Sequence, residues 1–152
     1  MYVPFVVVVM GVIPLLAVVV EYVAYPGLGL VVLVGKWFVF WAVGVRLAFS
    51  GLHQALNPSF TAGNIFATDS PEADRLVVEI GYGNIAIGVP ALLSLFFPAW
   101  VLPAGVAGMI FYLLAGVRHV LNGRRSANET VAMVSDLAIG LLLVVYVLLS
   151  VI

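Results

Sequence analysis

Long uncharged stretches dominate the pattern of this chain. Residues 1–20 and 80–117 carry no charge, and Asp136 is the only charge in residues 130–152. Because a membrane-crossing helix needs about 20 mostly apolar residues, the stretch 80–117 is too long for one crossing, and the proline-containing segment 97–103 divides it into two. The pattern predicts an all-α fold, a polytopic transmembrane helical bundle of about five spans.

The predicted spans make up one transmembrane domain, residues 1–152. Their predicted bounds are about 2–24, 30–56, 73–97, 100–121 and 129–151. Residues 22–36 fit a helix, a bend or a re-entrant loop, because the turn-forming cluster Tyr25-Pro26-Gly27-Leu28-Gly29 interrupts them. Four spans plus a re-entrant or bent segment is therefore the alternative.

Capping signals support several of these bounds. Ser70 precedes Pro71 and an acidic first turn, which is typical of a helix start. Ser126 and Glu129 have the spacing of a capping box at the start of the fifth span. Asn57-Pro58 predicts the end of the second span.

Composition agrees with a membrane protein and excludes other classes. The chain is 64% hydrophobic and 9% charged, whereas about 25% of the residues in a soluble domain are charged. The absence of cysteine excludes disulfides and thiolate metal sites, and a net charge of -1 offers no basic surface for nucleic acid. The first span has no basic residue before it and no Ala-x-Ala cleavage pattern, so we expect it to be retained.

Basic residues predict the orientation. Arg118, Arg124 and Arg125 flank the link between spans four and five, and Arg75 lies beside the link between spans two and three. The positive-inside rule places these links in the cytoplasm. The sequence therefore predicts a multi-pass protein of the cell membrane, such as a bacterial inner membrane, with a cytoplasmic N-terminus, although Lys36 lies on the opposite side.

The triplet Gly81-Tyr82-Gly83 matches the filter of potassium channels. That filter is followed by a full membrane helix, but only 14 positions separate Gly83 from Phe97, and Glu79 stands where the filter has threonine. The glycines are therefore interpreted as points of close helix contact. The small residues with this predicted role, within one chain or between copies, are Gly44, Ala48, Gly81, Gly83, Gly88, Ala104 and Gly108.

Polar side chains inside the spans are the candidate site, because an ionisable group in hydrocarbon is costly unless it is paired or hydrated. The predicted cluster consists of Arg46, Ser50, His53, Glu79, Asn84, His119 and Asp136. We expect Arg46 to pair with Asp136 at similar depth, with Glu79 as a third member or held by Arg75. The cluster either fixes helix packing or lines a polar cavity, open to the cytoplasm, in which a carboxyl carries a proton or binds a cationic group.

No catalytic residue and no metal site is predicted. His53 and His119 lie on different spans without the spacing of a ligand set. Ser50 lies near His53, but nothing around it matches a nucleophile turn. The sequence points to no cofactor, so the cofactor stays unknown.

Several distinct motifs are spread along most of the chain, in the segments 35–46, 51–54, 57–62, 79–84, 111–119 and 132–137. Together they resemble a family of small bacterial membrane proteins that is catalogued only as a domain of unknown function. The resemblance covers about residue 30 to the C-terminus and implies the bundle without an activity. Through the Gly-x-Arg-Leu run at 44–47, the chain is also loosely similar to small quinone-associated bundles of the DoxX type.

Three functions remain open. The first is a small transporter or proton-coupled permease, acting as a homo-oligomer in the lipid bilayer because 152 residues make a thin wall for a path. The chain lacks the internal inverted repeat of many transporters, so the alternative is a non-catalytic membrane subunit or assembly factor. An enzyme that acts on a lipid or a quinone is the third and less favoured function.

Overall fold

Six helices, five of them long and apolar enough to cross a membrane, make up the described part of the chain. A computed structural model describes residues 2–64, 68–123 and 126–152. The helices are α1 Val3–Ala24, α2 Leu30–Leu56, α3 Pro58–Asn64, α4 Pro71–Leu93, α5 Pro98–Leu121 and α6 Ala127–Val151. They pack as a bundle and these residues form no strand, so the predicted all-α bundle of five spans is confirmed.

The helix starts follow the local capping chemistry. Ser70 Oγ accepts a hydrogen bond of 3.1 Å from the Ala73 amide at the start of α4. Ser126 Oγ accepts one of 3.1 Å from the Glu129 amide at the start of α6. Each bond satisfies one of the amides that lack a partner in the first turn of a helix.

Two features beside prolines differ from the sequence prediction. Pro58 ends α2 but also starts the short helix α3, since proline fits the first position of a helix. α4 ends at Leu93 rather than near Phe97, and a turn precedes Pro98 because the residue before a proline disfavours the helical conformation. Residues 22–36 contain the end of α1, a turn and the start of α2, so they do not form a re-entrant loop.

α2 is the central helix of the bundle. It contacts α1, α4, α5 and α6, and half of its apolar window is buried, compared with about a third or less in the other four spans. The apolar window of α2 is therefore withdrawn from the lipid more than that of any other described span.

A π-helical stretch, Val39–Val45, lies in the middle of α2. The Arg46 amide bonds to the carbonyls of Trp41 and Val43, so it passes over Ala42, its ordinary partner four residues earlier. The hydroxyl of Tyr112 on α5 donates a hydrogen bond to the Ala42 carbonyl instead. Inside a bilayer each freed backbone group needs such a substitute, and Tyr112 is 1% exposed.

Replacing Tyr112 with phenylalanine should lower the free energy of unfolding by about 1 to 3 kcal/mol, because the Ala42 carbonyl would be left buried without this donor. Unfolding of the purified protein in mixed detergent micelles measures the change. Tyr82→Phe is the matched control, since Tyr82 is 61% exposed. Equal effects of the two substitutions would contradict the assignment.

Candidate functional site

Polar side chains gather in the half of the bundle where α2 and α5 end and α4 and α6 begin. At 1.5 Å per residue, Arg46 lies about 15 Å before the end of α2 and Asp136 about 14 Å after the start of α6. Half of a typical hydrocarbon core is also about 15 Å thick. Both charged residues therefore reach the middle of their spans.

Asp136 is the centre of this group. It is 6% exposed, and Arg46 is 9% exposed. The Arg46 guanidinium on α2 and the His119 ring on α5 both act electrostatically on the Asp136 carboxyl group. A buried charge is tolerated in hydrocarbon when charges of opposite sign compensate it. Three helices thus bring two basic groups and one acid together inside the bundle.

Arg46 also donates a hydrogen bond from Nη1 to Ser50 Oγ, one helical turn further along α2. The predicted polar stripe continues on this face to His53, but the structure leaves His53 exposed. The His53 ring meets the Phe60 ring of α3 edge-on, with 5.0 Å between the ring centres. The deeper part of the stripe therefore faces the bundle, whereas its end belongs to the surface beside α3.

Glu129 connects the site to the ends of α5 and α6. It is 5% exposed, and its Oε1 lies 2.7 Å from Asn122 Nδ2 and 3.1 Å from His119 Nδ1. The His119 ring thus interacts with Glu129 at the helix ends and with Asp136 about 10 Å deeper on α6. Sequence reasoning did not include Glu129 in the site, although its spacing of seven from Asp136 puts both on one helix face.

Asn84 belongs to the contact between α4 and α2. It is 4% exposed, and its Nδ2 donates a hydrogen bond of 2.7 Å to Gln54 Oε1. Its Oδ1 is buried and accepts no hydrogen bond from the described residues. Sequence reasoning missed Gln54, whose spacing of four from Ser50 was the available signal.

Glu79 lies apart from this group. It is exposed on α4, and so is Arg75 one turn earlier. The groups that act on the Asp136 carboxyl come from α2 and α5, and Glu79 is not among them. Of the arginines that suggested the orientation, Arg118 is exposed at the end of α5, whereas Arg124 and Arg125 lie outside the described residues.

Small residues bring the backbones of α2 and α4 into contact. A Cβ atom added to Gly88 would lie 2.5 Å from the Ala48 backbone nitrogen, and one added to Gly44 would lie 2.9 Å from the Leu92 nitrogen. Gly81 likewise meets Gly51, which was not in the predicted set.

The other predicted small residues divide into two groups. Gly108 on α5 meets Val43, with 2.6 Å from an added Cβ to a Val43 methyl carbon, and Ala104 is 5% exposed. Gly83 is exposed, and no heavy atom lies within 4 Å of a Cβ added there. Gly81 and Gly83 face opposite sides because two residues rotate a helix by about 200°.

In the described ranges 2–64, 68–123 and 126–152, no three histidine or acidic side chains converge to hold a metal ion. The chemistry available at the buried group is that of a carboxyl, an imidazole and a guanidinium. A carboxyl and an imidazole exchange protons, and a guanidinium stays charged. The arrangement can therefore bind and release a proton or an ion, with Arg46 as a permanent positive charge.

Comparison with known proteins gives a family and no activity. No curated protein matches the chain, and no solved structure does. A family model with the description "Family of unknown function (DUF6790)" matches residues 1–151 of the chain. The sequence motifs suggested a resemblance from about residue 30 onwards, and the match extends it over almost the whole length. The chain therefore belongs to the DUF6790 family, whose function is unknown.

Proposed function

We propose that this protein is a small proton-coupled membrane carrier in which Asp136 binds the transported proton. The observation that carries the proposal is a buried acid in the middle of a span, with a basic side chain acting on it from each of two other helices. Ionisable residues in this position are typical of proton relays and ion pathways.

The access route would begin at the linked ends of α5 and α6. Glu129 and Asn122 lie there, and the His119 ring contacts Glu129 and acts electrostatically on Asp136. Histidine suits a shuttle because an imidazole ring can both accept and donate a proton. Under the positive-inside rule this end faces the cytoplasm, so the proton would enter or leave on that side.

Arg46 would couple the proton to a second ion. Its charge is permanent, so protonation of Asp136 changes the net charge of the buried group from balanced to positive. A cationic substrate would compete with the proton for Asp136, and exchange of the two would leave the net charge of the group unchanged. This competition is the physical basis of coupling that the site offers.

Association of several copies would complete the path. Glu79 is exposed on a helix long and apolar enough to span the membrane, where contact of a carboxylate with lipid is unfavourable. A second copy packed on this face of α4 would cover Glu79. Native mass spectrometry of a gently extracted sample would count the chains in the assembly.

The Asp136→Asn variant should lose the charge movement that follows an acid step. Proteoliposomes on a solid-supported membrane report this current, and we expect the variant to give the signal of empty liposomes. Glu72→Gln is the control, since Glu72 is exposed in the first turn of α4. A wild-type current in Asp136→Asn, or an equal loss in the control, would refute the proposal.

A second measurement does not depend on the variant folding. A hydrophobic carbodiimide reacts with protonated carboxyl groups inside membranes, so mass spectrometry of the treated wild-type protein should locate the adduct at Asp136. The yield should fall when the pH is raised. An adduct that is absent at every pH would contradict the assignment of Asp136 as the proton-binding group.

The second candidate is a non-catalytic subunit whose buried charges fix helix packing. The hydrogen bonds of Glu129 favour it, because they join the end of α5 to the start of α6 and would hold the two helices in register without moving a proton. In that case the wild-type protein would give no current after an acid step.

A further inference from the structure

A second polar group lies at the opposite end of the bundle, where α1 ends and α2 begins. Lys36 Nζ lies 2.7 and 2.8 Å from the two carboxylate oxygens of Glu21, and Trp37 Nε1 donates a hydrogen bond of 2.6 Å to Glu21 Oε2. The ammonium group also lies 4.7 Å from the centre of the Trp37 ring. The Glu21 and Lys36 side chains are 17% and 33% exposed, so a molecule at the surface could reach charges of both signs.

This ion pair stands at the mouth of a cleft between α1 and α2. The cleft has a volume of about 510 Å³, and its walls include Leu16, Val20 and Trp41. It extends from Tyr25 to Ile13 and Trp41. Ile13 lies about 16 Å from the end of α1, and Trp41 about 16 Å from the start of α2, at 1.5 Å per residue. Charged groups occur at the mouth, whereas the deeper walls are apolar and aromatic.

The shape and chemistry of the cleft fit one acyl chain with its headgroup. One leaflet contributes about half of the 30 Å hydrocarbon thickness, which matches the depth of the cleft. Tyr25 and Trp37 are at the level where aromatic side chains meet lipid headgroups. The molecule that fills the cleft should therefore be a membrane lipid whose polar head lies beside Glu21 and Lys36.

The paired charges favour a headgroup that also carries both signs. A phosphate group can approach the third N–H donor of Lys36, and a primary ammonium group can donate hydrogen bonds to Glu21. A purely anionic headgroup would be repelled by the Glu21 carboxylate, which lies beside Lys36. A quaternary choline group carries the positive charge but has no N–H to donate.

We propose that the α1–α2 cleft binds a phospholipid of the phosphatidylethanolamine class, with its phosphate at Lys36, its ammonium group at Glu21 and one acyl chain along the apolar wall. The site is separate from Asp136 in position and in chemistry. Failure of this proposal leaves the proton-coupled carrier untouched, and the reverse also holds.

Native mass spectrometry of the full-length protein tests the proposal directly. The delipidated protein is titrated with phosphatidylethanolamine, phosphatidylcholine and phosphatidylglycerol that have identical acyl chains. We expect the wild-type protein to bind phosphatidylethanolamine about tenfold more tightly than the other two, the effect of one charge-assisted hydrogen bond. Equal binding of all three, or a preference for phosphatidylglycerol, would overturn it.

Two variants separate the headgroup site from the cleft. Glu21→Gln keeps an acceptor for Trp37 but removes the charge, so the preference for phosphatidylethanolamine over phosphatidylcholine should disappear. Ala17→Phe fills the cleft beside Glu21 and should weaken the binding of all three lipids. Glu72→Gln, remote from the cleft, should bind as the wild type does.

The second variant keeps the test decisive if Glu21→Gln fails to fold. Ala17→Phe leaves the ion pair and Trp37 in place, so its folding can be checked by circular dichroism before lipid is added. Undiminished lipid binding in a folded Ala17→Phe protein would show that the lipid lies elsewhere and would overturn the proposal. Retained lipid preference in a folded Glu21→Gln protein would do the same.

Discussion

Alanine in place of Gly51 should destabilise the bundle by about 1 to 3 kcal/mol or more, the usual effect of overpacking a tight contact. The added Cβ would lie 2.9 Å from the backbone nitrogen of Ile85 and closer still to the carbonyl oxygen of Gly81. Both atoms belong to the backbone of α4, so neither can move aside by changing a rotamer. Relief requires α2 and α4 to separate, which would loosen the contacts on both sides of Gly51.

The free energy of unfolding, measured by titration with sodium dodecyl sulfate in mixed micelles, quantifies this loss. Gly83→Ala is the matched control, because it makes the same change on α4 at a position with no heavy atom within 4 Å. Alanine has a higher helix propensity than glycine, by about 1 kcal/mol, so the control should be neutral or stabilising. Similar destabilisation by both substitutions would refute the role of the contact.

The second large effect concerns the charges at the middle of the bundle. Arg46→Gln and Asp136→Asn should each lower the free energy of unfolding by about 3 kcal/mol, since each leaves a buried charge without its counter-charge. The double variant removes both charges and should lose less than the sum. We expect a coupling energy of about 1 to 3 kcal/mol from this double-mutant cycle.

A second cycle, between Arg46→Gln and Glu79→Gln, tests the third member that the sequence suggested. Glu79 is exposed, so these two substitutions should add within about 0.5 kcal/mol. Strong coupling between them would place Glu79 beside Arg46 after all. Additive behaviour of Arg46→Gln and Asp136→Asn would show that the two buried charges do not compensate each other.

Local signals in the sequence are enough to predict much of the fold. The apolar runs locate the five spans, and the serines before α4 and α6 locate their starts. These features depend on neighbouring residues and on the thickness of the bilayer, so they can be read without a partner helix. α3 was missed because Asn57-Pro58 indicates a helix end and, equally, a new helix start.

Which face of a helix points inwards is harder to predict. Arg46, Ser50 and His53 share one face by spacing, yet His53 is exposed and its ring meets Phe60 of α3. Gly81 and Gly83 are close in sequence but differ completely in environment. Periodicity gives the angle between two residues of one helix, whereas the neighbouring helices decide which angle is buried.

The π-helical stretch could not be predicted from the chain. The Ala42 carbonyl within it accepts a hydrogen bond from Tyr112 of α5. The residues that form it, Val39–Val45, contain no proline and resemble any other apolar part of a span. The local backbone geometry thus coincides with a tertiary hydrogen bond, and no window of neighbouring residues contains that contact.

This stretch also sets the rotational phase between the two polar ends of α2. Lys36 before it faces Glu21 of α1, whereas Arg46 after it acts on Asp136 of α6. Removal of one residue would turn everything beyond that point by about 100°. The length of α2 therefore cannot change by even one residue. A deletion that preserves every side chain at both ends would still turn one end away from its partner helix.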